Sequence, residues 1–82
     1  MRTIFLDPDF RHTPKTDTFC CKCQRDIKAG TAYRMVRVIN GGATVLHPGD
    51  EALYKPENGD LGGLPIGPDC ARKLGLEWTY PP

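Results

Sequence analysis

Eighty-two residues, 9.1 kDa, make one domain at most, and a chain this short buries too little apolar surface to be stable without some staple. Nine Gly and eight Pro, about a fifth of the chain, exclude a helical bundle, a coiled coil and a nucleotide-binding α/β fold, and no apolar run approaches the ~18–20 residues of a membrane span. The net charge of +1 divides unevenly: residues 1–47 carry eight Lys/Arg against four Asp/Glu, residues 48–82 three against six. That balance suits neither a strongly basic nucleic-acid binder nor an acidic DNA mimic.

In chain order, Ile4-Phe5-Leu6 reads as a short strand stopped by Asp7-Pro8. Only three apolar residues in a row precede Asp7, too few for a secretory signal, so a cytoplasmic protein is expected. Residues 7–18 are polar, hold Pro8 and Pro14 and show no period. Residues 1–18 are therefore expected to form an N-terminal strand and polar arm, apart from a domain at 19–82. Residues 19–30 read as a tight turn. Thr31–Ile39, rich in β-branched and aromatic residues, and Ala43–His47 are expected to pair as a hairpin across Asn40-Gly41-Gly42. Either face of the first strand qualifies as the buried one: Tyr33, Met35 and Ile39 with Arg37, or Ala32, Val36 and Val38 with Arg34.

Pro48 to Gly67, with three Pro and five Gly, reads as a long connection with one helical turn at Glu51–Tyr54. Pro68–Leu74 has the marks of a short helix: Pro and Asp in the first turn, Arg and Lys near the end, Gly75 as the stop. Leu76, Trp78 and Tyr80 follow at spacing two, as a last strand or an apolar tail laid over the core. Trp78 and Tyr80 read as core cover.

The chemistry lies in the cysteines. Cys20 and Cys23 form a C-x-x-C pair, a spacing that lets two thiolates share one tetrahedral metal ion. Cys21 is one residue from Cys23, too close for the same knuckle, and is read as an accessory thiol. Cys70 opens the predicted helix, where the dipole would favour thiolate. The fourth ligand is read as His47, with His12, Cys21 or a carboxylate as alternatives. The pattern Cys20-x₂-Cys23-x₂₃-His47-x₂₂-Cys70 predicts one closed, structural Zn²⁺ held by a knuckle, a hairpin and a helix start. The fold class expected is α+β, a small zinc-stabilised treble-clef-like domain.

The stretches Phe19-Cys-Cys-Lys-Cys-Gln-Arg-Asp-Ile27 and Pro65-Ile-Gly-Pro-Asp-Cys-Ala-Arg-Lys-Leu74 resemble the small treble-clef-like zinc-finger domains of bacterial and phage proteins. Those domains carry a C-x-x-C-G knuckle and, after a variable middle, G-P-x-C followed by a basic residue and Leu or Ile. The likeness covers about 20 residues and implies Cys20, Cys23 and Cys70 as ligands. Gln24 stands where the usual pattern has Gly, and the hairpin and loop are longer than in compact members.

No carboxylate pair, nucleophile elbow or phosphate-cradling loop is visible, so the chain is read as not an enzyme; Cys70 as an activated nucleophile is the weakest reading. The leading expectation is a zinc-binding protein that presents a surface to a protein partner, as a phage or bacterial inhibitor or adaptor of a host complex would. Its contact loop would carry Leu53, Tyr54, Leu61, Leu64 and Ile66. The first alternative is a nucleic-acid-binding finger using Lys22, Arg25, Lys28, Arg34 and Arg37. The second is a thiol-based redox or metal sensor using Cys21. No membrane association is expected.

Overall fold

A computed structural model describes residues 1–56 and 59–82. Four strands form one antiparallel sheet: β1 (Thr3–Phe5), β2 (Arg34–Ile39), β3 (Thr44–Leu46) and β4 (Gly62–Ile66), in the order β1-β3-β2-β4. One helix, α1 (Pro68–Leu74), follows β4 directly. The expected α+β class is therefore observed.

The hairpin is β2–β3, with Ile39 opposite Thr44 and Arg37 opposite Leu46. Its link, Asn40–Gly42, is a 3₁₀ turn in which Asn40 (φ 53°) and Gly41 (φ 76°) are both left-handed. Those are the angles for which Asn-Gly is suited, because neither residue pays a large Cβ penalty there.

The alternation of β2 is resolved in favour of Val36 and Val38, both fully buried. Register then fixes the rest of that face. Val38 lies opposite Val45, Ile4 opposite the same Val45, Val36 opposite Leu64, and Arg34 opposite Ile66. These residues join Leu6, Cys20, Cys23, Cys70 and Ala71 in one core, against which Ile4, Cys21, Leu64, Leu74 and Trp78 pack.

The opposite face carries Arg37, Ile39 and Leu46, and the last two are buried there as well. The cover is the acidic stretch after β3. Pro48–Leu53 is a 3₁₀ segment, and the Arg37 guanidinium meets Asp60 at 2.7 Å and Glu51 at 3.3 Å and lies 5.7 Å from the centre of the Tyr54 ring. Arg2 closes the end of this layer, giving two side-chain hydrogen bonds and its backbone N–H to Asp50. These bonds hold the Asp50 carboxyl far below the usual carboxylate range.

Three expectations need correcting. The 48–67 connection is not a loop throughout, since its last residues are strand β4; residues 57 and 58 of it lie outside the described residues. Gly62-Gly63-Leu-Pro-Ile has poor strand propensity, but β4 is an edge strand. Pro65 sits opposite Met35 with its missing N–H turned away from β2, and its carbonyl accepts from the Cys21 N–H. The N-terminus is not a separate unit either: β1 pairs with β3, and Leu6 is a core residue.

The residues after α1 form a 3₁₀ turn, Leu76–Trp78, rather than a strand, and Leu76 is exposed. Tyr80 alone pairs with the sheet. β3 ends at Leu46, which leaves the N–H and C=O of Met35 without a neighbour on that side, and Tyr80 satisfies both at 2.8 and 2.9 Å.

Candidate metal centre

The knuckle at residues 18–27 is a two-strand loop in miniature. The Ile27 N–H bonds to the Thr18 carbonyl, the Cys20 N–H to Arg25, and the Gln24 N–H back to the Cys20 carbonyl at 2.8 Å. This last bond closes the turn between the two cysteines and puts Gln24 at φ 63°. Glycine is the residue that adopts this angle without strain, which gives the usual Gly of C-x-x-C-G knuckles a physical reason.

The knuckle docks on β4 through the Cys21 N–H to Pro65 bond. Two residues later the chain turns into α1, with Pro68 in its first turn and Cys70 facing back. As a result the donor atoms of Cys20, Cys23 and Cys70 lie within 4.8 Å of one another, and all three residues are buried. A tetrahedral Zn²⁺ with Zn–S bonds of about 2.3 Å needs sulfurs about 3.8 Å apart, so the spacing fits a metal ion with little adjustment. Three soft, buried thiols from two distant segments, none in a disulfide, could together hold a metal ion.

Burial raises the cost of a thiolate at Cys20, but the backbone N–H groups of Cys23, Gly67 and Lys22 outweigh it, and the Cys20 pKa falls. Gly67 lies against this side chain: a Cβ there would meet that of Cys20 at an ordinary contact distance of 3.7 Å. Cys70 goes the other way. Burial, then the adjacent Cys20 charge, push its thiol up to about 12. The helix start expected to favour thiolate at Cys70 therefore does not do so; it is Cys20, at which the amides of Cys23, Gly67 and Lys22 point, whose pKa is lowered. Cys21 is half-buried against the core and stands outside the group of three; burial, with the Cys20 charge second, pushes its thiol up to about 12.

His47 is not brought to the thiols. It ends β3, its Nδ1 accepts the Gly49 N–H at 3.0 Å, and its ring meets the edge of Trp78 with centroids 5.2 Å apart. The expected fourth ligand thus acts here as the cap of the Pro48–Leu53 turn. His12, the alternative, lies elsewhere. An open cavity of about 500 Å³ runs onto Cys20, Cys23 and Cys70, and His12 lines it with Arg11, Arg25 and Lys28.

The expected basic face is dispersed. Arg34 and Arg37 are three residues apart on one strand and so point to opposite faces. Arg34 bonds to the Thr79 hydroxyl and carbonyl, Arg37 to Asp60 and Glu51, and the Lys22 ammonium to the Asp7 carbonyl. Arg25 and Lys28 remain exposed. The contact loop is also reduced. Ile66 is fully buried and Leu64 packs on the core, because both belong to β4; Tyr54 is half-buried beside Arg37, while Leu53 and Leu61 are exposed.

The polar arm is firmly attached to the knuckle. The Asp9 N–H bonds to the Lys22 carbonyl and the His12 N–H to that of Cys23. The Asp26 carboxylate takes the N–H groups of Lys15 and Thr16 and the Thr16 hydroxyl, and these bonds lower its pKa against a small cost of burial. An acidic residue closing a knuckle and collecting amides from ten residues upstream leaves no local signature.

No protein-family model, curated protein or solved structure matches the chain at a significant level. Among the described residues no helix is long and apolar enough to cross a membrane.

Proposed function

We propose that the chain is a small zinc-binding protein without catalysis of its own, in which one structural ion fixes a treble-clef-like arrangement of knuckle, hairpin and helix. The observation that carries this reading is the trio of buried thiols at Cys20, Cys23 and Cys70. Thiolate donors favour zinc over hard cations, and a closed site of four protein ligands leaves no position for a substrate. Three thiolates and a neutral fourth ligand give a centre of charge −1, and Arg11, Arg25, Lys28 and Lys73 around the cavity offset it.

What such a scaffold offers is surface. The exposed Leu53 and Leu61, which flank the Arg37 ion-pair layer, supply apolar contact area for a protein partner, in keeping with a small cytoplasmic inhibitor or adaptor. The nucleic-acid reading retains Arg25 and Lys28 but loses Arg34 and Arg37, which are engaged within the fold. The redox reading is weakened by the position of Cys21, which is half-buried and separate from the three thiols.

Elemental analysis of protein purified without added metal tests the centre: about one zinc per chain is expected, falling to near zero in Cys70→Ser. Well-folded wild-type protein that contains no zinc would sink the reading.

A further inference from the structure

We infer that His12 is the fourth ligand of the metal centre, so that the N-terminal arm is part of the site rather than an appendage. This rests on the zinc reading above. Four observations converge on it. The His12 backbone N–H bonds to the carbonyl of Cys23, itself one of the thiols, at 3.3 Å. That bond places the His12 backbone beside the knuckle that carries two of the thiols. The His12 side chain lines the cavity onto which Cys20, Cys23 and Cys70 open.

The arm is also held on both sides of His12. Asp9 is bonded to Lys22 upstream, and Lys15 and Thr16 are bonded to Asp26 downstream. Those bonds fix the backbone on both sides of the ligand, so placing it costs less entropy than from a free segment. Finally, the competing donors at the cavity are engaged. Asp26 collects the arm amides and Asp69 pairs with Arg72; His47, away from the cavity, caps its own turn and meets Trp78 edge-on. Among the described residues the His12 imidazole has no hydrogen-bond partner.

His12 is exposed and its ring nitrogens lie outside the 4.8 Å group formed by the three sulfurs. Loading therefore requires the His12 side chain to turn into the cavity, toward the three sulfurs. The imidazole binds neutral, the thiols lose their protons to solvent, and the ion ends with three sulfurs and one nitrogen.

Co²⁺ added to the reduced, metal-free full chain reads the ligand set directly, since its visible absorption depends on the number of sulfur and nitrogen donors. Wild type is expected to give an intense tetrahedral spectrum of three sulfurs and one nitrogen. His12→Ala should shift that spectrum and weaken Zn²⁺ in competition titrations by more than the roughly 10–100-fold typical of losing a supporting group. His12→Cys should restore tight binding with a stronger sulfur-to-metal charge-transfer band, and His47→Ala should keep the wild-type spectrum. An unchanged spectrum and affinity in His12→Ala overturns the assignment but leaves the metal centre standing, as does a loss seen in His47→Ala instead. Failure of the wild type to bind either metal overturns the zinc reading itself.

Discussion

The two faces of the sheet are held by opposite chemistry. On one, Val36, Val38, Val45 and Ile66 pack against three thiols and the Ala71 side of α1, with Arg34 at the margin. On the other, Arg37, Asp60, Glu51, Asp50 and Arg2 form charge pairs over Ile39 and Leu46. Neither layer is a large apolar core, which an 82-residue chain cannot build. On the zinc reading, a small protein divides its stabilisation between a metal on one side and ion pairs on the other, of which Arg37–Asp60 is the most covered. The first is a strong, all-or-none contribution, and the second is a set of smaller, separable ones.

Removing the metal should break this division most severely. Structural zinc contributes about 10–16 kcal/mol of apparent binding free energy, more than a domain of this size holds in total. Chelation at neutral pH is expected to abolish the cooperative thermal transition seen by circular dichroism, whichever ion pairs remain. A chelated protein that still melts cooperatively near the holo temperature would show that the apolar and ionic contacts suffice.

Cutting the other face should cost less and reveal an asymmetry. Asp60 is 8% exposed at its side chain and Arg37 19%, and among the described residues the buried Arg37 Nε has no hydrogen-bond partner. Asp60→Ala leaves the guanidinium with the exposed Glu51 alone, with an expected loss of about 3 kcal/mol in urea unfolding of the holo protein. Arg37→Met removes the under-paired charge itself, so its loss should be smaller, despite the larger side chain deleted. Equal losses would mean the pair is screened by solvent.

At the junction of the two layers, the Tyr80 hydroxyl occupies the space a Cβ on Gly63 would need. Gly63→Ala is expected to cost about 1–3 kcal/mol, in the range of overpacking, and Tyr80→Phe in the same chain should recover part of it. The smallest effect belongs to the knuckle. Gln24→Gly relieves the left-handed strain at φ 63° but loosens the unfolded chain, for a net gain of about 0.5 kcal/mol. A loss instead would mean that the Gln24 side chain contributes contacts of its own.

The hairpin, the helix and the three thiols were legible because each is announced locally: Asn-Gly by its angles, Pro-Asp and Gly75 by helix ends, C-x-x-C by its spacing. β4 was not, since Gly62-Gly63 and Pro65 disfavour a strand everywhere except on an edge, and edge position is a property of the whole sheet. The choice between His47 and His12 was equally out of reach. It turns on Asp26 holding the arm to the knuckle and on Trp78 meeting His47, contacts 10 and 31 residues apart in sequence. The basic face misled because clustering along a strand was read as clustering in space, although residues 34 and 37 alternate in direction.

The pairing of Tyr80 with Met35 bears on when the protein can fold during its synthesis. β2 and β3 are made early, but Met35 stays open on one side until residue 80 arrives, and the third thiol is not made until residue 70. A ribosome exit tunnel shields the last few tens of residues, so the sheet, the knuckle and the helix close together only after this stretch has emerged. Until then the nascent segment holds three reduced cysteines and an unfinished hairpin, so on the zinc reading metal capture follows the hairpin rather than nucleating it.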